Sequence, residues 1–143
     1  MENKRKNSIL TPYKIKNGEV FVYLQKRSKD AKRLPDYFGF WGGGIEGDET
    51  PEQALLREVK EEMGIDLNLE LAQLLNRYEF FGSIKYAYLF EPPENWENYI
   101  TVKEGEYGRW FILEEALSMP NIIFEDKVIL NDIERKLLNK PIR

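Results

Sequence analysis

The stretch from Gly43 to Ile65 reads GGIEGDETPEQALLREVKEEMGI, a glycine turn followed by one helix. Thr50 suits an N-cap, Pro51 suits the first helical position where its missing N–H costs nothing, and Gln53 completes a Thr-x-x-Gln capping box. Gly64 supplies the stop. Leu55 and Val59, with Ala54 and Met63 beside them, recur at helical spacing and are expected on the core side. Glu58, Glu61 and Glu62, three and four residues apart, then share another face.

Three glutamates on a helix are more often a solvated acidic face than a site. Here they oppose the helix that carries them: exposed like charges at this spacing cost about 0.2 to 0.5 kcal/mol per pair. If the face is partly sheltered, two charges roughly 6 Å apart at an effective dielectric of about 20 repel by about 3 kcal/mol. Arg57 offsets part of this. A divalent cation offsets more, and an oxygen-only cluster suits Mg2+ or Mn2+.

The spacing of Gly43, Glu49, Arg57-Glu58, Val59, Glu61-Glu62, Gly64 and Ile65 resembles the complete signature of the Nudix hydrolases, with every fixed position filled. The resemblance implies an α/β fold, a Nudix-type α/β/α sandwich with a mixed sheet, the signature helix and a C-terminal helix lying on opposite faces. It also implies that the Gly43 carbonyl is a metal ligand. Trp41 stands where the family often has proline, and Asp48 where it often has glycine. Both lie outside the fixed positions and are read as subfamily variation.

The chain has 143 residues and 42% hydrophobic content, which is ample for one core, so a single domain over residues 1–143 is expected. The absence of cysteine and histidine removes disulfides, thiolate nucleophiles, Ser-His-Asp chemistry and His-based zinc sites. Acid–base chemistry then falls to carboxylates, Lys, Tyr or metal-bound water. No signal peptide or apolar membrane span is evident, so a cytoplasmic protein is expected. The basic cluster Lys4, Arg5, Lys6 in a chain of net charge −4 reads as a flexible, solvated terminus over residues 1–8 and argues against polymeric nucleic acid as a partner.

Ile9 to Gln25 reads as a β-hairpin turning at Asn17-Gly18. The polar run that follows carries Lys26, Arg27, Lys29, Lys32 and Arg33. Its functional reading is a clamp on substrate phosphates, with Arg27 the best candidate because it ends a strand. Phe38 to Trp41 leads into Gly42-Gly43-Gly44, where glycine lets backbone approach a ligand closely. Glu46 is a supporting acid. Leu69 to Phe81 and Ile84 to Glu91 form a second hairpin. The loop Pro92 to Ile100 offers Trp96 and Tyr99, which either stack on a nucleobase or cap the sheet edge. Trp110 to Leu113 reads as a buried strand before a short helical turn. The C-terminal helix, from about Glu125 to Asn139, places Val128, Ile129, Ile133 and Leu137 at core spacing.

Lys103 to Trp110 (KEGEYGRW) resembles a segment of the antimutator nucleoside triphosphate diphosphatases, which implies Glu104 as a fourth metal-binding acid, with Glu106 as the fallback. In those enzymes an asparagine just before the last helix reads the oxidised guanine. Glu125 stands at the nearest ungapped position here, with Asn121 upstream, a departure bearing on base choice.

The expected activity is Mg2+-dependent hydrolysis of a phosphoanhydride in a nucleoside diphosphate linked to another group. A nucleoside triphosphate, oxidised or not, giving monophosphate and pyrophosphate is the first choice. A nucleotide sugar, ADP-ribose or a dinucleoside polyphosphate is the alternative, followed by a non-catalytic nucleotide sensor. In this scheme Glu58, Glu61, Glu62, Glu104 and the Gly43 carbonyl hold the metal and Arg57 fixes a glutamate. The cation stabilises phosphoryl charge and activates water. Glu61, Glu62 and Glu104 all remain open as the proton acceptor, and the protein is expected to be a monomer or homodimer.

Overall fold

The structure, a computed structural model, describes residues 4–138. Seven strands and three α-helices follow in the order β1 (Arg5–Lys16), β2 (Glu19–Lys26), β3 (Phe38–Gly39), β4 (Trp41–Gly44), α1 (Pro51–Met63), β5 (Ala72–Glu79), β6 (Ser83–Phe90), β7 (Tyr107–Ile112), α2 (Leu113–Ser118) and α3 (Phe124–Leu138). The sheet runs β3-β2-β1-β6-β5, with β4 paired to β1 and β7 to β2. The β1–β6 pair is parallel and the other strand pairs are antiparallel, so the sheet is mixed. Asn17 and Gly18 both take positive φ, 53° and 77°, which matches the right-handed twist of the β1–β2 hairpin.

Alternation along the strands divides the core in two. Ile9, Val22, Leu24, Ala87 and Leu89 face Ile129, Leu130 and Ile133 of α3. Leu10, Tyr23, Tyr88 and Phe90 face Leu55, Val59 and Met63 of α1. The two long helices therefore cover opposite faces, in an α/β class fold.

Several expectations need correction. β1 begins at Arg5, so Arg5 to Ser8, read as part of a flexible terminus, pair with β6; backbone hydrogen bonding in a parallel ladder outweighs their charge. The second hairpin is shorter than its apolar runs, because Leu69–Leu71 form a 3-10 turn. β7 starts at Tyr107 and Leu113 already belongs to α2. In α3, Val128 is exposed and Leu130 is buried, so the core stripe is rotated relative to the spacing chosen from sequence. Asn139 lies outside the described residues.

Candidate active site

The helix that carries the acids is closed at both ends by its own sequence. Gln53 N–H donates to Thr50 Oγ1 at 3.1 Å, and Thr50 N–H donates to Gln53 Oε1 at 2.9 Å. Gly64 adopts φ 72°, and its N–H returns to the Lys60 carbonyl. Leu55, Val59 and Met63 are fully buried, which locks the helix rotation and hence where the glutamates point.

Arg57 is the hub of the acidic face. Its Nε and Nη2 hold both oxygens of Glu49 at 2.7 and 2.9 Å. Its Nη1 meets Glu58 at 2.9 Å and Glu61 at 3.4 Å, and Nη2 also reaches the Gly44 carbonyl at 2.8 Å. The Arg57 hydrogen bonds, then the Glu46 N–H, hold the Glu49 carboxyl down at about 2. Glu46 thus supports through its backbone, while its side chain is exposed and 3.9 Å from Arg57.

Glu58 and Glu62 press on the glycine strand. A Cβ on Gly43 would lie 2.6 Å from Glu58 Oε2, so only glycine leaves room for that carboxylate. Gly42 N–H donates to Glu62 Oε1 at 2.6 Å, and Glu62 is only 5% exposed. Burial pushes the Glu62 carboxyl up to about 8, with the charges of Glu58, Glu104 and Glu61 adding to the effect and the Gly42 N–H opposing it. Burial also raises Glu58, although Arg57 pulls the other way. Glu61 is half-exposed.

The segment carrying Glu104 is tied to the end of α1. Thr101 and Lys103 N–H donate to the Met63 and Glu62 carbonyls, at 3.0 and 2.8 Å. The Glu104 charge acts on Glu58 and Glu62. Glu106 is turned instead toward Lys26, at 3.8 Å. Helix and loop thus bring the Glu104 charge within reach of the Glu58 and Glu62 carboxylates.

Among the described residues no three acidic side chains already stand close enough to enclose an ion, and Glu58 and Glu61 rest on Arg57. The donor chemistry nevertheless fits a hard divalent cation. The donors are all oxygen, and burial, with the neighbouring carboxylates adding to it, raises the Glu62 carboxyl to about 8, which a bound cation would offset.

Gly42–Gly44 also border a cleft of about 400 Å³ whose other walls carry Arg5, Lys6, Arg27, Arg33, Lys85 and Glu125. Arg27 lies where the sequence places it, its guanidinium donating twice to the Arg33 carbonyl. Glu125 accepts from Ser83 Oγ at 3.1 Å and pairs with Lys85 at 3.1 Å. Lys85 and its second partner Asp126, 2.8 Å away, are both buried, and Asp126 Oδ2 accepts the Phe40 N–H at 3.1 Å. Sequence reading missed this pair. Its signal was a lone lysine in the apolar run SIKYAYLF and an aspartate on the buried face of α3.

Two candidates do not reach the cleft. Trp96 is 7% exposed, its ring edge-on to Tyr23 and Phe90 with both centroid distances 5.6 Å, so the indole completes the core beneath α1 and offers no face to a base. Tyr99 is exposed and does not line the cleft.

Residues 9–132 match the family model described as NUDIX domain, and the chain belongs to that family. It is a Nudix hydrolase, an enzyme of pyrophosphate-containing substrates. The 8-oxo-dGTP diphosphatase of Escherichia coli (strain K12) is 35% identical over 100 residues, covering 69% of this chain and 75% of that protein. Diphosphoinositol polyphosphate phosphohydrolase 3-alpha of Mus musculus is 34% identical over 95 residues, and this chain spans 56% of its length. A MutT/nudix family protein from Enterococcus faecalis superposes with a TM-score of 0.78 at 17% identity, covering 98% of this chain and 64% of that one. No helix among the described residues is long and apolar enough to cross a membrane.

Proposed function

We propose that the protein hydrolyses a nucleoside triphosphate to the monophosphate and pyrophosphate, using Mg2+ or Mn2+ held by Glu58, Glu61, Glu62, Glu104 and the Gly43 carbonyl. The observation that carries this reading is the meeting at Gly42–Gly44 of the carboxylates Glu58 and Glu62 and a cleft rich in positive charge. When bound, the cation neutralises charge developing on the phosphoryl oxygens and makes water more acidic.

The chain's own residues do the rest. Arg57 holds Glu49, Glu58 and Glu61 in one array with the Gly44 carbonyl, so the acids keep their places as charge changes. Arg27 orients the phosphate chain from the cleft wall. Water attacks phosphorus, the anhydride P–O bond breaks, and pyrophosphate leaves. Glu62 Oε1 is committed to the Gly42 N–H, whereas Glu61 and Glu104 are open to solvent and can accept the water's proton.

The test is turnover of nucleoside triphosphates by purified protein with Mg2+, scored by pyrophosphate release. Folded Glu61→Gln and Glu62→Gln variants are expected to lose at least 100-fold in kcat (~2.7 kcal/mol). Wild-type rates in both would overturn the assignment.

A further inference from the structure

Among the described residues, cations without a carboxylate partner occur elsewhere on the surface, Lys14, Lys16, Lys103 and Lys136 included, but in the cleft four of them stand together. Lys4, Lys26, Arg57, Lys60, Arg77, Lys85 and Arg135 each have a carboxylate partner. Arg5, Lys6, Arg27 and Arg33 have none among the described residues, although the whole chain carries net charge −4. All four line one cleft. Their placement is built into the backbone. Ile45 N–H donates to the Lys6 carbonyl at 2.8 Å and Asn7 pairs opposite Gly44, which sets Arg5 and Lys6 beside the outgoing end of the glycine strand. The two Arg27 bonds to the Arg33 carbonyl join the other two cations into one unit. Lys85 faces both Glu125 and Asp126, so that corner carries one net negative charge and the four cations outweigh it.

A divalent cation, if held by the acid cluster, would answer the diphosphate being cleaved. Four further unpaired charges call for anionic groups beyond it, and a terminal phosphate brings on the order of two negative charges at neutral pH. We infer that Arg5 and Lys6, together with Arg27 and Arg33, clamp the terminal phosphates of the substrate, so that the substrate class is nucleoside polyphosphates of three or more phosphates and not diphosphate-linked conjugates. The inference rests on the proposed phosphoanhydride hydrolysis and names which end of the substrate the cleft holds.

The test compares the best nucleoside triphosphate from the screen with ADP-ribose, on wild type and on Arg5→Gln/Lys6→Gln. Both residues are exposed, so the variant should fold. The double variant should raise KM for the triphosphate about 10-fold, with kcat within about twofold, and flatten the salt dependence of kcat/KM. Its KM for ADP-ribose should not move. Lys16→Gln/Lys136→Gln removes the same charge away from the cleft and should change neither. Equal losses on both substrates, or the same loss in the control, would overturn the clamp. Wild type preferring ADP-ribose would overturn the inference while leaving phosphoanhydride hydrolysis standing. If nothing is turned over, the proposed function fails, and titration calorimetry with an α,β-methylene triphosphate still decides the clamp: it stands if the double variant binds about 10-fold more weakly and falls if affinity is unchanged.

Discussion

Replacing Glu62 with glutamine in the metal-free protein isolates the charge strain at the centre of the site. Glutamine keeps the size and an oxygen for the Gly42 N–H, but it cannot ionise. In the folded chain Glu62 titrates at about 8, against 4.5 for a solvated glutamate. Below pH 4.5 both states hold the proton and nothing is lost. Between 4.5 and 8 the folded state keeps the proton and the unfolded state sheds it, so stability falls as pH rises, by about 1.4 kcal/mol per unit and on the order of 5 kcal/mol in all. Above 8 the loss is complete. Glu62→Gln should therefore match wild type near pH 4.5 and exceed it at pH 9, by a Tm difference on the order of 10 °C for a chain of this size. The assay is thermal unfolding in EDTA from pH 5 to 9. Adding Mg2+ at pH 8 should raise the wild-type Tm with release of a proton and barely move the variant. Parallel pH profiles for the two proteins would refute the reasoning.

Lys85→Met should cost about 3–5 kcal/mol in urea unfolding, because it leaves Asp126 buried without a counter-charge, and adding Asp126→Asn should recover part of that loss. Trp96→Ala should cost about 3–5 kcal/mol through the cavity it opens between Tyr23 and Phe90. Its KM should stay within about twofold of wild type, and a large KM rise without loss of stability would restore Trp96 to the substrate site.

The acidic face of α1 was legible in the sequence because its information is local. The cap at Thr50, the stop at Gly64 and the 3–4 spacing of the glutamates all lie within one helix, so periodicity alone brings Glu58, Glu61 and Glu62 together. The cationic cleft is assembled by tertiary pairing. Arg5 and Lys6 read as a loose terminus because nothing within eight residues announces the parallel ladder with β6 that orders them. Trp96 read as offered because its neighbours are polar, yet the chain folds back and seats the ring in the core.

Two buried carboxylates fix the glycine segment that the acid cluster and the cleft share. Asp126, from α3, takes the Phe40 N–H, and Glu62, from α1 on the opposite face, takes the Gly42 N–H. Each leaves one donor satisfied, and the donors are two residues apart on the β3–β4 segment, Phe40 between the two strands and Gly42 in β4. Displacing that segment toward either side would strand a buried N–H and a buried carboxylate together, which is costly in a low-dielectric interior. The glycine segment is therefore held from both layers. Its freedom from side chains serves the close approach of Glu58 rather than flexibility. Neither carboxylate could be replaced by an apolar residue without releasing the segment that the acid cluster and the cleft share.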